Sequence, residues 1–204
     1  MYKKIVKRIL DFVMAFFAII ILLPLFLLIS IAILIDSKGN VFYVQQRVGK
    51  NNKDFKLFKF RTMRAHADKA GLLTIGDHDN RITKIGYLLR KSKLDELPQL
   101  LNILFGQMSF VGPRPEVRYY VNYYTPEQMK VLSVLPGLTD WASLMYIDEN
   151  EILRQAEDHE KAYIETIMPA KLALNFKYIS EMSFVCDMKI IFKTLIKIVN
   201  LNSR

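Results

Sequence analysis

From Phe12 to Ile35 the chain reads FVMAFFAIIILLPLFLLISIAILI, without one charged residue. About 20 apolar residues suffice to cross a ~30 Å hydrocarbon core, so this run predicts a membrane-inserted helix. It is too long for a secretory leader, and the following IDSKGN offers no small-residue cleavage site. Lys3, Lys4, Lys7 and Arg8 precede it. Between residues 41 and 64 Arg47, Lys50, Lys53, Lys56, Lys59, Arg61 and Arg64 follow, against Asp54 alone. Basic flanks favour the cytoplasmic side, and a straight span cannot keep both of them there. Pro24 sits mid-run, lacks a backbone donor and predicts a kink. Two halves of about 12 residues each reach ~18 Å, enough to enter one leaflet and return. The pattern therefore predicts a re-entrant hairpin over 1–38 and a membrane-interface domain over 39–204, with a single kinked span as the alternative.

Polar and apolar positions change period after Gly39. Val41–Val44 and Phe55–Phe60 are aromatic and β-branched, and GKNNKD between them supplies turn residues, which predicts a basic β-hairpin. Residues 65–80 have weak periodicity and read as a loop or short helix over a site. Between Asp148 and Glu165 acids dominate, which predicts a solvated helix continuing through Met168–Tyr178. In Asp187–Val199, Lys189, Lys193 and Lys197 recur every four residues, opposite Met188, Ile191, Phe192, Leu195, Ile196 and Val199. That pattern suits a helix lying in an anionic interface, or one packing its apolar side on the core. The fold class expected is α+β: mostly helical and membrane-associated, with a small hairpin and interfacial amphipathic helices.

Composition narrows the chemistry. In 204 residues the net charge is +9, yet 51% are hydrophobic, which excludes a disordered polycation. A lone Cys186 excludes a disulfide scaffold, and His66, His78 and His159 have no zinc-ligand spacing. Nucleic acid competes for the basic hairpin, but a membrane-embedded chain favours phosphates of lipid or nucleotide-sugar, so no nucleic acid partner is expected.

Residues 81–118 concentrate the candidate chemistry. Arg81, Lys84, Arg90, Lys91 and Lys93 lead without an acid to the pair Asp95 and Glu96. Leu94, Leu97, Leu100, Leu101, Leu104 and Phe105 then follow at helical spacing, and Pro98 places the helix start near Asp95. Asp95 could simply cap that helix; alternatively the cations recruit phosphates to the carboxylates. In Gly112-Pro113-Arg114-Pro115 two prolines fix the backbone around one arginine, as either an oxyanion clamp or a rigid turn requires. Serine-triad, Walker and GxGxxG patterns are absent. Carboxylates among fixed arginines at a membrane suggest phosphoryl transfer assisted by Mg²⁺, which accepts one or two carboxylates plus substrate phosphates.

FKLFKFRTM, DNRITKIGYLLRKSKLDELPQLLNILFGQMSFVGPRP, PGLTDWAS and SFVCDMKIIFKTL, in that order behind the apolar run, resemble the monotopic phosphoglycosyl transferases. The likeness covers essentially the whole chain and looks like the minimal catalytic form, without added amino-terminal spans. It implies transfer of a sugar 1-phosphate from a UDP-sugar to undecaprenyl phosphate, with UMP released. By resemblance Asp95 is the nucleophile forming a phosphosugar intermediate, with Glu96 as its partner and Mg²⁺ bound at Asp95. Arg90 and Arg114 fit phosphate-binding positions, and Lys59 and Arg61 lie in the basic hairpin motif. Partners implied are UDP-sugar, undecaprenyl phosphate and membrane lipids, with a homodimer left open. The location implied is the bacterial inner membrane, monotopic, with the catalytic domain on the cytoplasmic face. Two departures stand out: Leu23-Pro24 where Ser-Pro is common, and Asp140 where PGxTGWAQ has glycine. A non-catalytic scaffold of polysaccharide assembly and a glycosidase using Asp95 and Glu96 are the competing readings.

Overall fold

The computed structural model describes residues 2–64, 81–146, 153 and 155–202. The loop or short helix expected over 65–80, with His66 and His78, lies outside them. Helix α1 runs unbroken from Lys7 to Asp36 with Pro24 inside it, about 45 Å at 1.5 Å per residue. Proline supplies no amide, so the Ile20 carbonyl loses its donor there. Lys7, Asp11 and Ala15, then Ile29 and Ile33, are its buried positions. These fours mark one stripe. Ala15 packs with Leu57, Leu100, Ile103 and Met108, and Ile29 and Ile33 pack with Phe60 and Leu89. The rest of α1, including Phe12, Phe16, Ile20, Leu27, Leu28 and Ile31, is exposed and apolar. Helix α1 is long and apolar enough to cross a membrane. Yet it lies against the remaining chain along both halves, and it is tied there at both ends. Arg8 donates to the Ile103 and Leu104 carbonyls at 2.6 and 3.0 Å; Asp36 Oδ2 accepts from the Ile85 amide at 3.0 Å.

Strands β1 (Phe42–Val48) and β2 (Asp54–Phe60) form the antiparallel hairpin, in register Phe42↔Phe60 to Val48↔Asp54. The first strand is longer than Val41–Val44 because Gln45, Gln46 and Arg47 also find partners in Leu57, Lys56 and Phe55. Helix α2 (Lys84–Lys91) is capped by Thr83, whose Oγ1 accepts from the Gly86 amide at 3.0 Å. Helix α3 (Gln99–Leu104) follows Pro98 and starts four residues later than expected from the periodicity. A second pairing was not foreseen: β3 (Ser109–Val111) runs parallel to β4 (Gly137–Thr139), aligning Ser109 with Gly137 and Val111 with Thr139.

Helices α4 (Arg118–Val121), α5 (Trp141–Met145), α6 (His159–Ala162), α7 (Met168–Glu181) and α8 (Phe184–Asn202) complete the body. The solvated helix expected over 148–165 is corrected where that stretch is described. Leu153 and Tyr163 are buried with Ile167, Met168 and Leu172 against Val117, Tyr120 and Val131. Apolar positions interleaved with the acids carry that burial. Helix α8 buries Asp187 and Ile190, while its apolar side, Val185, Phe192, Leu195, Ile196 and Val199, faces outward. Asp187 anchors a polar node in the interior. Its Oδ2 accepts from Lys7 Nζ and Tyr2 Oη, both at 2.5 Å, and its Oδ1 accepts from Tyr178 Oη at 2.7 Å. The whole is a mostly helical α+β, membrane-associated architecture.

Candidate active site

The site is assembled from β2, α2, the turn before α3 and the loop after β3. Asn102 of α3, fully buried, fixes the first of these joints: its Nδ2 donates to the Lys56 carbonyl at 2.7 Å and its Oδ1 accepts from the Phe58 amide at 3.0 Å. This side chain treats β2 as a neighbouring strand would, and Lys59 is thereby held beside the segment preceding α3. At the end of α2 the chain reverses through Lys93, in the left-handed region at φ 59°, a conformation that costs a non-glycine residue about 1 kcal/mol. Leu94–Glu96 form a single 3₁₀ turn, and both carboxylates sit on it rather than on α3. Asp95 does not cap a helix: its side chain bonds to no amide among the described residues.

The two carboxylates have opposite fates. Glu96 is saturated. Arg114 grips both its oxygens, with Nη1 to Oε2 at 3.2 Å and Nη2 to Oε1, and Lys59 Nζ donates to Oε1 at 3.1 Å. Burial alone would push this carboxyl up, but Arg114 and Lys59 outweigh it and hold the group well below the usual carboxylate range. A carboxyl held ionised does not serve as a proton donor, so Glu96 is not a general acid. Asp95 is 8% exposed and has no hydrogen-bond partner among the described residues. Burial pushes its carboxyl up; Lys59, Lys93 and Arg90 pull against that, and the charge of Glu96 adds to it. Burial also lowers Lys59, with Glu96 opposing.

Arg114 stands on a rigid support. A Cβ on Gly112 would lie 2.6 Å from the Leu135 carbonyl oxygen, and one on Gly137 would lie 2.1 Å from the Gly112 nitrogen, so only glycines allow β3 and β4 to cross this closely. Gly112 N–H donates to the Thr139 carbonyl at 3.1 Å, and Gly137 N–H to the Pro113 carbonyl at 2.9 Å. Arg47 donates to the Pro115 carbonyl at 3.2 Å. Asp140, fully buried, caps α5 through the Ser143 amide at 2.7 Å and accepts the Arg114 amide at 3.4 Å. The Arg114 side chain stays 37% exposed.

Of the residues proposed from sequence, the structure gathers Asp95, Glu96, Lys59, Arg90 and Arg114. Arg90 reaches inward with Nε on Thr62 Oγ1 at 2.9 Å. Arg61 is placed differently: its Nη atoms donate to the Lys38 and Ser37 carbonyls at 2.8 and 2.7 Å, closing the end of α1. Lys93, part of the basic cluster read from the sequence, is one of the cations acting on Asp95; sequence reasoning missed Arg47 and Asp140 as supports of Arg114. The D-x-x-S spacing of Asp140 and Ser143 is a capping signature that could have flagged the last.

The residues present fit a divalent cation in one mode only. Among the described residues there is no group of three or more His, Cys, Asp or Glu able to hold a metal, and both Glu96 oxygens are already engaged by Arg114 and Lys59. Asp95, buried and uncommitted, fits Mg²⁺ as one carboxylate completed by substrate phosphates.

Two acids thus lie among four cations, Lys59, Arg90, Lys93 and Arg114. A family model described as bacterial sugar transferase matches residues 2–201. The chain belongs to the bacterial sugar transferase family. One relative is the UDP-N-acetylgalactosamine-undecaprenyl-phosphate N-acetylgalactosaminephosphotransferase of Aeromonas hydrophila, 36% identical over 193 residues, 93% of this chain and 43% of that protein. The UDP-glucose:undecaprenyl-phosphate glucose-1-phosphate transferase of Escherichia coli K12 is 33% identical over 198 residues, 96% of this chain and 40% of that protein. The exopolysaccharide production protein PSS of Rhizobium leguminosarum is 35% identical over 199 residues, 94% of each. The chain thus spans less than half the length of the first two members and nearly all of the third.

Proposed function

We propose that this bacterial sugar transferase moves a sugar 1-phosphate from a UDP-sugar to undecaprenyl phosphate through a covalent intermediate on Asp95. One observation carries the reading: Asp95 is buried without a hydrogen bond among the described residues, beside a Glu96 that accepts three. A buried carboxylate left unbonded is costly unless its reactivity is used. In the first half-reaction an Asp95 oxygen attacks the β-phosphorus of the donor. The bond from that phosphorus to the bridging oxygen breaks, and UMP leaves with the electron pair. In the second, a phosphate oxygen of the acceptor attacks the same phosphorus. The acyl-phosphate bond breaks, Asp95 returns as carboxylate, and polyprenyl-diphosphate-sugar is formed. Arg114, Lys59 and Arg90 hold the transferred phosphate, and Glu96 keeps Arg114 and Lys59 oriented between substrates. Asp95 and the donor diphosphate would hold Mg²⁺, which when bound would supply charge neutralisation.

The same reading has α1 enter and leave one leaflet of the inner membrane, with the catalytic body on the cytoplasmic face. The ties of Arg8 and Asp36 support it: both helix ends bond polar groups of one body. The deciding experiment is UMP release from the full chain in bilayer discs with undecaprenyl phosphate, Mg²⁺ and a panel of UDP-sugars. Release by one donor without acceptor, in an amount matching the enzyme, with mass gain of the Asp95 peptide, is expected. UMP release by Asp95→Asn equal to the parent would overturn the assignment.

A further inference from the structure

Helix α8 carries two faces that the sugar-phosphate chemistry does not use. Val185, Phe192, Leu195, Ile196 and Val199 stand exposed along one side, and Met145 of α5 is 68% exposed. Along the border between this face and the buried Asp187 and Ile190 run Lys189, Lys193 and Lys197. Lys189 and Lys193 bring their ammonium groups to 5.9 and 5.3 Å from the centroid of the Trp141 ring, and Lys197 Nζ donates to the Leu144 carbonyl at 2.6 Å. None of the three lysines has an acidic partner among the described residues, and the one acid on α8, Asp187, is turned inward onto Lys7, Tyr2 and Tyr178.

Exposed apolar side chains, a half-buried tryptophan and unpaired ammonium groups therefore lie side by side along one helix. A second copy of the chain would meet this face with the same lysine row, and like charges would oppose it. A bilayer matches every part: tails accept the apolar row, the boundary layer suits tryptophan, and anionic headgroups complement the lysines. We propose that α8 lies on the membrane surface and that Lys189 and Lys193, bracketing Trp141, hold the phosphate of anionic phospholipids. The inference rests on membrane association alone and is independent of any role for Asp95.

Trp141 is the single tryptophan of the chain, so its fluorescence reports this site directly. The full chain in phosphatidylcholine discs would carry a fixed fraction of lipid brominated near the headgroup end of its tails, as phosphatidylglycerol or as phosphatidylcholine. Brominated phosphatidylglycerol is expected to quench about twofold more strongly than brominated phosphatidylcholine, with the difference shrinking as salt rises. Lys189→Gln with Lys193→Gln should erase the difference, and Lys189→Arg with Lys193→Arg should retain it. Equal quenching by both lipids in the parent chain, or no quenching by either, overturns the proposal. A preference that appears only when undecaprenyl phosphate is present would assign the patch to the acceptor, and overturns it likewise.

Discussion

Two buried aspartates, Asp187 and Asp95, differ in how their carboxylates are satisfied, and the proposed function draws on that difference. Asp187 sits where the start of α1 meets α7 and α8, and accepts three hydrogen bonds from Lys7, Tyr2 and Tyr178. Asp95 sits on a 3₁₀ turn beyond a left-handed lysine and accepts none among the described residues. Both are nine-tenths buried or more. Solvent exclusion is common to them; satisfaction is not. Desolvation is offset at Asp187 by three bonds already made, whereas at Asp95 no described residue supplies one; under the proposed function the substrate does.

Substitution breaks this contrast most sharply at Asp95. Asp95→Asn should lower UMP release on the order of 10⁴-fold, since the loss of a nucleophile is among the largest single effects on turnover. Its thermal midpoint in detergent should equal or exceed the parent's, because a poorly solvated charge is removed. Asp187→Ala should do the reverse. Leaving Lys7 buried without its partner should cost about 3–5 kcal/mol of stability, read as a lowered midpoint, while turnover per folded molecule stays near the parent value. Arg114→Lys loses the two-pronged grip on Glu96 and should reduce kcat/KM for the UDP-sugar about 10–100-fold. Asp140→Ala removes a cap and a brace for Arg114, costing about 1 kcal/mol; Asp140→Asn, which still caps, should recover most of it in the same melting experiment.

Acidity sharpens the contrast further. Burial raises the Asp95 carboxyl above its ordinary 3.8, so it takes up its proton earlier on acidification. The acid limb of UMP release should therefore fall at a pH above 3.8, and Asp95→Asn has no such limb to show. For stability the sign is opposite: what Asp95 contributes when protonated is present below the unfolded value and is lost as pH rises through the folded one. The stability advantage of Asp95→Asn over the parent should accordingly shrink as pH falls below the folded value. Glu96, held low, contributes stability that persists above its ordinary 4.5 and disappears only in stronger acid.

The sequence disclosed those parts of the molecule whose cause is local. The apolar run, the aromatic hairpin and the Asp95-Glu96 and Gly-Pro-Arg-Pro motifs each declare themselves within a few residues. Arg61 was not legible in this way, because its partners are backbone carbonyls at Ser37 and Lys38, about two dozen positions away, and carbonyls carry no signature. The β3–β4 pair escaped because three-residue strands have no period to detect, and their contact depends on two glycines 25 positions apart. The start of α3 was misplaced because leucine spacing continues through the turn at Leu94–Glu96, while the left-handed Lys93 and Pro98 impose different backbone geometry. Orientation was the hardest element to foresee. The pattern of α8 left both of its sides open as the packed one, and only its neighbours decided which would face out.

Helix α1 has no slack at either end. One half lies beneath α3, whose preceding turn bears Asp95, and the other beneath β2 and α2, which bear Lys59 and Arg90. Under the proposed function, the helix that meets lipid is therefore also the support of the residues assigned to the reaction, rather than a tether to them. On that placement, the depth to which α1 enters its leaflet sets the height of the Asp95 carboxylate relative to the lipid headgroups.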